Sequence, residues 1–466
     1  MLKNGSVQCC SRSNESRVRM NGKVCVAYNI FNTLSEIVRA GLKSGVARNA
    51  ASLYLIQFAN YIVPLIMVPY LVRVLGPAGY GAVAFAQGFI NYLMLFVEYG
   101  FDWSVTRKIS VQRENLEAVN HTALHVWTAK GLLAVVGFVV LLALTPLVAK
   151  LGEVRWLLLA LYGLVLGNVL FPTWLFQGME RMVAISVINL GMKLSVLAGV
   201  FLLVKRPEDA LLYAGLLGGG SLLAGLTGVA VAFWMFGLRP GRVSFGGVWE
   251  ALKEGWVLFL SKASVSLYTA GNAFILGMLT NHTVVGYYSA AEKIVKSLLG
   301  LLGPIAQAAY PRFSKLAAES KERALFWGRR MLLLMGSAGF AISVGILAGA
   351  NIIVSPLLGS QFGPSVPVMR ILAFLPFLIS LSNVLGIQLM IPLGKDRAFT
   401  LILFGAGVLN VSLALLLAPA WHERGMAVAV LLSEIFVTSA MFLYLAKVGL
   451  SVISARRAVP RLKAEP

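Results

Sequence analysis

Ten charged side chains stand inside long apolar stretches of this 466-residue sequence: Lys130, Lys193, Lys262, Lys293, Lys296 and Arg370 are basic, and Glu98, Asp102, Glu292 and Glu434 are acidic. A charge at the centre of a bilayer costs roughly 3 kcal/mol or more unless it meets a cavity or a partner, so these positions are where function is expected. The basic set outnumbers the acidic one, and cations around a cavity suit an anionic head group, since a diphosphate stripped of water must meet positive charge to cross hydrocarbon. At about 1.5 Å rise per residue, Lys193 and Lys262 fall near mid-depth and lead the candidates for contact with an anion. Lys130, Glu98 and Asp102 fall nearer an edge, where snorkelling to the interface is expected. Glu292 and Lys296, at i and i+4 on one helix face, read equally well as an ion pair and as substrate contacts. Glu434 has no charged neighbour in sequence. It reads either as a proton or cation site coupling transport to an ion gradient, or as a protonated carboxyl hydrogen-bonded to another helix. Glu98, Asp102 and Glu292 are the further acidic candidates for ion coupling.

Other chemistries find little support. The sequence has no HExxH, Walker or GxSxG motif, and its three aspartates are far apart, so a transporter is expected, not an enzyme, and no cofactor is called for. Without an ATP site, uphill movement would draw on an ion gradient or on consumption of the product. His121 and His125 have metal-ligand spacing but lack a third ligand, and are expected on a solvated loop helix. Cys9, Cys10 and Cys25 all precede the apolar body, which leaves it without a disulfide framework or a CxxC site. Gly218, Gly219 and Gly220 lie within an apolar run, where close helix packing is the expectation and a phosphate cradle is not. Pro64, Pro69 and Pro304 are candidate hinges.

The elements that must hold these residues are membrane helices. The chain is 58% hydrophobic and 13% charged, with mean hydropathy +0.80, more apolar surface than a soluble core can hide. Strands of alternating polarity, as in an outer-membrane barrel, are missing. The apolar blocks predict twelve spans, at 50–75, 81–105, 123–149, 155–176, 182–204, 211–236, 255–279, 286–310, 325–358, 366–393, 398–419 and 425–450. The net charge of +21 sits mainly in loops and termini and so orients the chain instead of marking a nucleic-acid binder. The amino terminus, the even-numbered loops and the carboxyl terminus together hold 27 Lys and Arg against 6 on the opposite side, which places both termini in the cytoplasm.

The first 47 residues lack the uninterrupted apolar core of a signal peptide, and 29–42 reads as an interfacial helix or as part of a disordered extension. Gly79-Tyr80-Gly81 after span one echoes Gly286-Tyr287-Tyr288 after span seven. The turn Gly178-Met179-Glu180-Arg181 likewise echoes Gly394-Lys395-Asp396-Arg397. The expected fold is an all-α integral membrane protein of about twelve transmembrane helices, in two parallel six-helix lobes around a central cavity. Its divisions are a basic cytoplasmic extension at 1–48, a first lobe at 49–237, a cytoplasmic connector at 238–254, a second lobe at 255–450 and a basic cytoplasmic tail at 451–466.

Several stretches carry a family resemblance across 45–450. They are Asn49-Ala50-Ala51-Ser52-Leu53-Tyr54; Pro69-Tyr70-Leu71-Val72-Arg73-Val74-Leu75-Gly76-Pro77 with Gly79-Tyr80-Gly81; Phe171-Pro172-Thr173-Trp174-Leu175-Phe176-Gln177-Gly178-Met179-Glu180; Gly286-Tyr287-Tyr288-Ser289-Ala290-Ala291-Glu292-Lys293; and Tyr310-Pro311-Arg312. The sequence resembles the Wzx-type O-antigen and polysaccharide flippases of the multidrug/oligosaccharidyl-lipid/polysaccharide exporter superfamily. The resemblance marks Arg73, Gly79, Gly81, Gln177, Gly178, Gly286 and Tyr287 as motif positions of structural weight. It implies a two-lobed bundle in the bacterial inner membrane, opening alternately to either side. Its substrate would be an undecaprenyl-diphosphate-linked glycan for O-antigen, capsule or exopolysaccharide. Its partners would be inner-membrane lipids, a polysaccharide polymerase and a chain-length regulator. The readings set beside it are an ion-coupled exporter of small organic cations, which a basic cavity should repel, a membrane-embedded polymerase or ligase, and a scaffold. Relatives begin close to the first span, so the extension departs from the pattern.

Overall fold

The computed structural model describes residues 6–8, 19–21, 45–269 and 271–450. The cysteines, the stretch 29–42 and the basic tail lie outside the described residues. Backbone packing divides the chain into Met1–Leu55 and Ile56–Pro466. In the first unit, Ser6–Gln8 (β1) pairs antiparallel with Arg19–Asn21 (β2), with Val7 opposite Met20.

The α-helices are α1 Gly45–Glu98, α2 Phe101–Gln112, α3 Leu116–Leu147, α4 Ala149–Glu153, α5 Arg155–Leu170, α6 Thr173–Gly178, α7 Met182–Leu203, α8 Ala210–Phe236, α9 Phe245–Thr269, α10 Asn272–Leu279, α11 His282–Gly300, α12 Gly303–Glu319, α13 Lys321–Ile353, α14 Ser365–Leu372, α15 Leu375–Asn383 with a π-helical continuation Val384–Met390, and α16 Asp396–Lys447. Among the described residues eight helical stretches are long and apolar enough to cross a bilayer. Their outward faces match that solvent: Val135, Val139 and Leu142 on α3 are exposed although no charge follows Lys130 on that helix. The protein is an integral multi-pass membrane protein.

Two of the eight are double length. A straight 54-residue helix would reach about 80 Å, more than twice the hydrocarbon thickness of about 30 Å. The chain breaks α1 at Gly76, with φ 68° and ψ 175°, a conformation open to glycine and strained for other residues. It breaks α16 at His422, with φ 49°, where a Cβ on Gly425 would overlap the Leu417 carbonyl, so the helix folds back on itself. Pro304 does not kink a span but sits in the first turn of α12, opening that helix.

Helices approach closely where glycines permit it. Gly218 on α8 rests on Gly163 and on the Ala160 carbonyl of α5, and Gly220 lies against Val196 of α7, so these two glycines serve packing as expected, while Gly219 has nothing within 4 Å of an added Cβ. The echoed motifs Gly79-Tyr80-Gly81 and Gly286-Tyr287-Tyr288 touch. A Cβ on Gly81 would overlap the His282 carbonyl oxygen, and one on Gly286 would overlap the Pro77 carbonyl oxygen. The contact is reciprocal and pairs Gly81 with Gly286, two residues along from the sequence echo, which set Gly79 against Gly286. Gly79 lies against Leu75 and the Pro207 carbonyl. Arg73 is exposed, and its stem lies near Gly359, while Tyr287 meets Phe362 edge-on at 5.9 Å.

The second echo is also a shared geometry in a shifted register. Arg181 N–H donates to Phe176 O, and Lys395 N–H donates to Met390 O, each at 2.8 Å, around a left-handed Glu180 or Gly394. This is the six-to-one closure of a Schellman turn. Gln177 and Gly178 belong to α6, whose Gly178 lets Ile109 of α2 come close.

The reciprocal contact makes a stability prediction. Gly81→Val or Gly286→Val is expected to cost at least roughly 1–3 kcal/mol by overpacking against backbone that cannot yield. Gly191→Ala, with nothing within 4 Å of the new Cβ, should be nearly neutral. Thermal unfolding in detergent compares them, and equal melting temperatures would show that the contact does not matter.

Candidate functional site

The charged residues fall into three groups. The first forms where α1 passes into α2. Tyr99 and Gly100 both have positive φ, and Gly255 on α9 packs against Tyr99 O at this bend. One face of α9 then carries Gly255, Leu258 and Lys262 along the bend, and Lys262 Nζ reaches Glu98 Oε1 at 3.3 Å. Asp102 lies within hydrogen-bonding reach of Glu98 and within electrostatic reach of Lys130 and Lys262. Lys130 does not snorkel. It is 1% exposed, and its Nζ donates to Asn168 O on α5 at 2.7 Å. The reason is geometric: α3 turns Lys130 toward α5, with Leu133 and Leu141 buried, and turns Val135, Val139 and Leu142 outward. A cavity of about 220 Å³ lies beside it, bordered by Asp102, Lys130, Asn168, Thr173, Asn189 and Ser221.

The second group draws on α7 and α11. Lys193 on α7 and Lys293 on α11 lie close enough for their charges to repel. Lys293 is accessible although α11 packs against α10, α13, α14, α15 and α16. Lys296, one turn on, bonds Glu292 Oε1 at 2.9 Å, and Glu292 also accepts from the Tyr288 hydroxyl at 3.0 Å. The i, i+4 reading as an ion pair is therefore realised.

The third group surrounds Glu434, which is 7% exposed. Its Oε1 accepts from Ser382 Oγ at 2.6 Å, a bond to another helix as one of the sequence readings allowed. Glu434, Ser382, Asn383 and Lys296 border a cavity of about 320 Å³. Lys296 and Asn383 also border a second, of about 350 Å³, that reaches Tyr61 on α1. The buried Asn383 Oδ1 has no hydrogen-bond partner among the described residues.

Some expectations end elsewhere. Arg370 is exposed near the end of α14 and forms no ion pair among the described residues. His125 is not on a solvated face. It is 3% exposed, hydrogen-bonded through Nδ1 to His121 O at 2.6 Å, and its Nε2 accepts from Ser244 N at 3.1 Å. It pins the segment before α9 to α3. Among the described residues no group of three metal-ligating side chains occurs. Near this end Lys108 bonds Glu250 at 3.4 Å and Glu254 at 3.1 Å, a tie from α2 to α9 that the sequence gave no reason to single out. Asn189 was also passed over, although it stands at i−4 from Lys193 on α7 and helical spacing alone puts the two on one face.

A family model described as "Polysaccharide biosynthesis protein" matches residues 46–317. The chain belongs to that family. A protein of Escherichia coli strain K12 named "Putative O-antigen transporter" is 33% identical over 402 residues, covering 86% of this chain and 97% of its own length. One of the same name from Shigella dysenteriae is 28% identical over 407 residues, covering 84% and 97%. The Wzx-type resemblance is thereby borne out. Among solved structures, the inward closed conformation of the lipid II flippase MurJ has a TM-score of 0.60 at 13% identity, covering 85% of this chain and 87% of its own. The eukaryotic MATE transporter AtDTX14 has 0.59 at 12%, covering 88% and 96%. Both show a shared transporter fold.

Glu98→Gln and Lys262→Met are each expected to destabilise the protein, and the double variant by less than their sum. The coupling should fall between roughly 0.5 and 3 kcal/mol, as for residues in contact. Strict additivity in thermal unfolding would mean that the pair does not hold α1 to α9.

Proposed function

We propose that this protein flips an undecaprenyl-diphosphate-linked oligosaccharide across the bacterial inner membrane by alternating access, with no covalent chemistry of its own. The observation that carries the reading is that Lys193 and Lys293, two cations from opposite halves of the sequence, lie within electrostatic reach of each other in an apolar bundle. A like-charged pair in low dielectric draws an anion, and a diphosphate can bridge both ammonium groups with charge-assisted hydrogen bonds. Lys262, the other mid-depth candidate, pairs with Glu98, and the reading assigns the diphosphate to Lys193 with Lys293. The glycan then stands in the water-filled lumen and the polyprenyl tail stays in lipid. The relatives' names support a polysaccharide cargo, and a cationic site disfavours the organic cations of a drug exporter.

Twelve spans in two sets of six follow on this reading. Breaking α1 at Gly76 and α16 at His422 turns two double-length helices into four. Joining α9 with α10 and α11 with α12 adds two, for six either side of the connector at 238–254. The reciprocal Gly81 and Gly286 contact is what a two-fold axis along the membrane normal would produce. With both termini cytoplasmic, that contact closes the periplasmic end, and Lys108 with Glu250 and Glu254 ties the cytoplasmic end. Glu434 with Ser382 is the site for a coupling proton or cation. A polymerase and a chain-length regulator act on the glycan once it is outside.

Lys193→Ala and Lys293→Ala are each expected to lower surface polysaccharide at least tenfold, about 1.4 kcal/mol of lost interaction, while the protein accumulates normally and lipid-linked precursor builds up inside. Lys193→Arg should retain most of the display, and Arg370→Ala all of it. Full display in the two alanine variants would remove the pair from the mechanism. Separately, Glu434→Gln is expected to abolish dependence of flipping on an imposed ion gradient, measured in proteoliposomes; unchanged dependence would leave Glu434 a structural carboxyl.

A further inference from the structure

We infer that the cavity of about 220 Å³ beside Lys130 is a subsite for the sugar attached directly to the diphosphate. This rests on the flippase reading. Six polar side chains from six helices converge there: Asp102, Lys130, Asn168, Thr173, Asn189 and Ser221. Polar groups at such density inside a membrane bundle are costly unless something satisfies them. Asn168 is the clearest case. Its backbone carbonyl is taken by Lys130, but its buried Oδ1 has no hydrogen-bond partner among the described residues, so an acceptor awaits a donor. A sugar ring offers hydroxyls that both donate and accept, and amides, hydroxyls, an ammonium and a carboxyl together answer both kinds. The Phe171 side chain adds an apolar surface to the same wall, as a ring with one face of C–H groups requires.

Position joins this pocket to the cation pair. Asn189 and Lys193 stand four residues apart on α7, on one face and about 5–6 Å apart at their Cβ atoms. That is the scale separating a diphosphate from the ring it carries. A head group bridging Lys193 and Lys293 therefore sets its first sugar against Asn189. Asn189 lies closer than Lys193 to the end of the bundle where α7 begins, the cytoplasmic end on the charge count, so the glycan would trail toward the side where it is made. The pocket would then select the first sugar and leave the rest of the glycan unread in the lumen.

The test measures binding to the full-length protein in nanodiscs with two probes, undecaprenyl diphosphate and the same lipid carrying one N-acetylhexosamine. The natural protein is expected to bind the glycosylated probe at least tenfold more tightly. Asn189→Leu and Ser221→Val, which fill the pocket, should erase that preference and leave the Kd for the bare lipid within twofold. Asn189→Ala, which removes the amide without adding bulk, should erase it too, and unfolding temperatures establish that each variant is folded. Retention of the preference in the folded variants overturns the subsite, as does equal binding of both probes by the natural protein, in which case the pocket holds only water. Bare-lipid binding that is indifferent to Lys193→Ala and Lys293→Ala overturns the flippase reading of the cation pair instead, so the two failures are distinguishable.

Discussion

A charge cannot face hydrocarbon without a cost that rivals the net stability of a domain, and the architecture follows from that constraint. Among the described residues, charged groups within the bundle find partners on their own or neighbouring helices. Lys130 reaches a backbone carbonyl, Lys262 reaches Glu98, Lys296 reaches Glu292, and Glu434 reaches Ser382. The faces left over are apolar, as on α3 beyond Lys130. Apolar side chains therefore fill both the core and the outward faces, and the buried polar groups are gathered where helices meet.

Such an interior needs helices that approach closely, because apolar side chains between two helices in lipid gain little from leaving it. Glycine supplies the approach. The Gly218 contact holds α8 against α5, the Gly81 and Gly286 contact holds the second half of α1 against α11, and Gly255 holds α9 against the bend at Tyr99. The bend is what brings Glu98 and Asp102 together, and its packing on α9 is what lets Lys262 reach them. Packing and electrostatics are therefore one arrangement here, and the charged knot closes where the backbones touch.

Much of this could be read from residue spacing when the interacting groups lie within one helix. Glu292 and Lys296 pair as their i, i+4 spacing requires, and Gly218 packs because an apolar run leaves glycine little else to do. Reading failed where two helices had to be brought together first. Lys130 looked like a snorkelling residue because its depth was legible and its rotation about the helix was not. His125 looked solvated because the segment that covers it is 119 residues distant in sequence. Asn189 had the spacing to be found and was passed over because amides do not stand out among apolar residues as charges do.

By itself the sequence determined that the chain is a helical membrane protein with cations inside its apolar stretches, since hydropathy and charge are summed along the chain and need no neighbours. It also determined the family, through short motifs around glycine, proline and tryptophan. Only the tertiary structure decided which group each of the paired cations meets. A lysine's partner is set by the rotation and crossing of helices, and residues such as Glu98 and Lys262, 164 positions apart, meet only because backbone contacts at Gly100 and Gly255 bring their helices together.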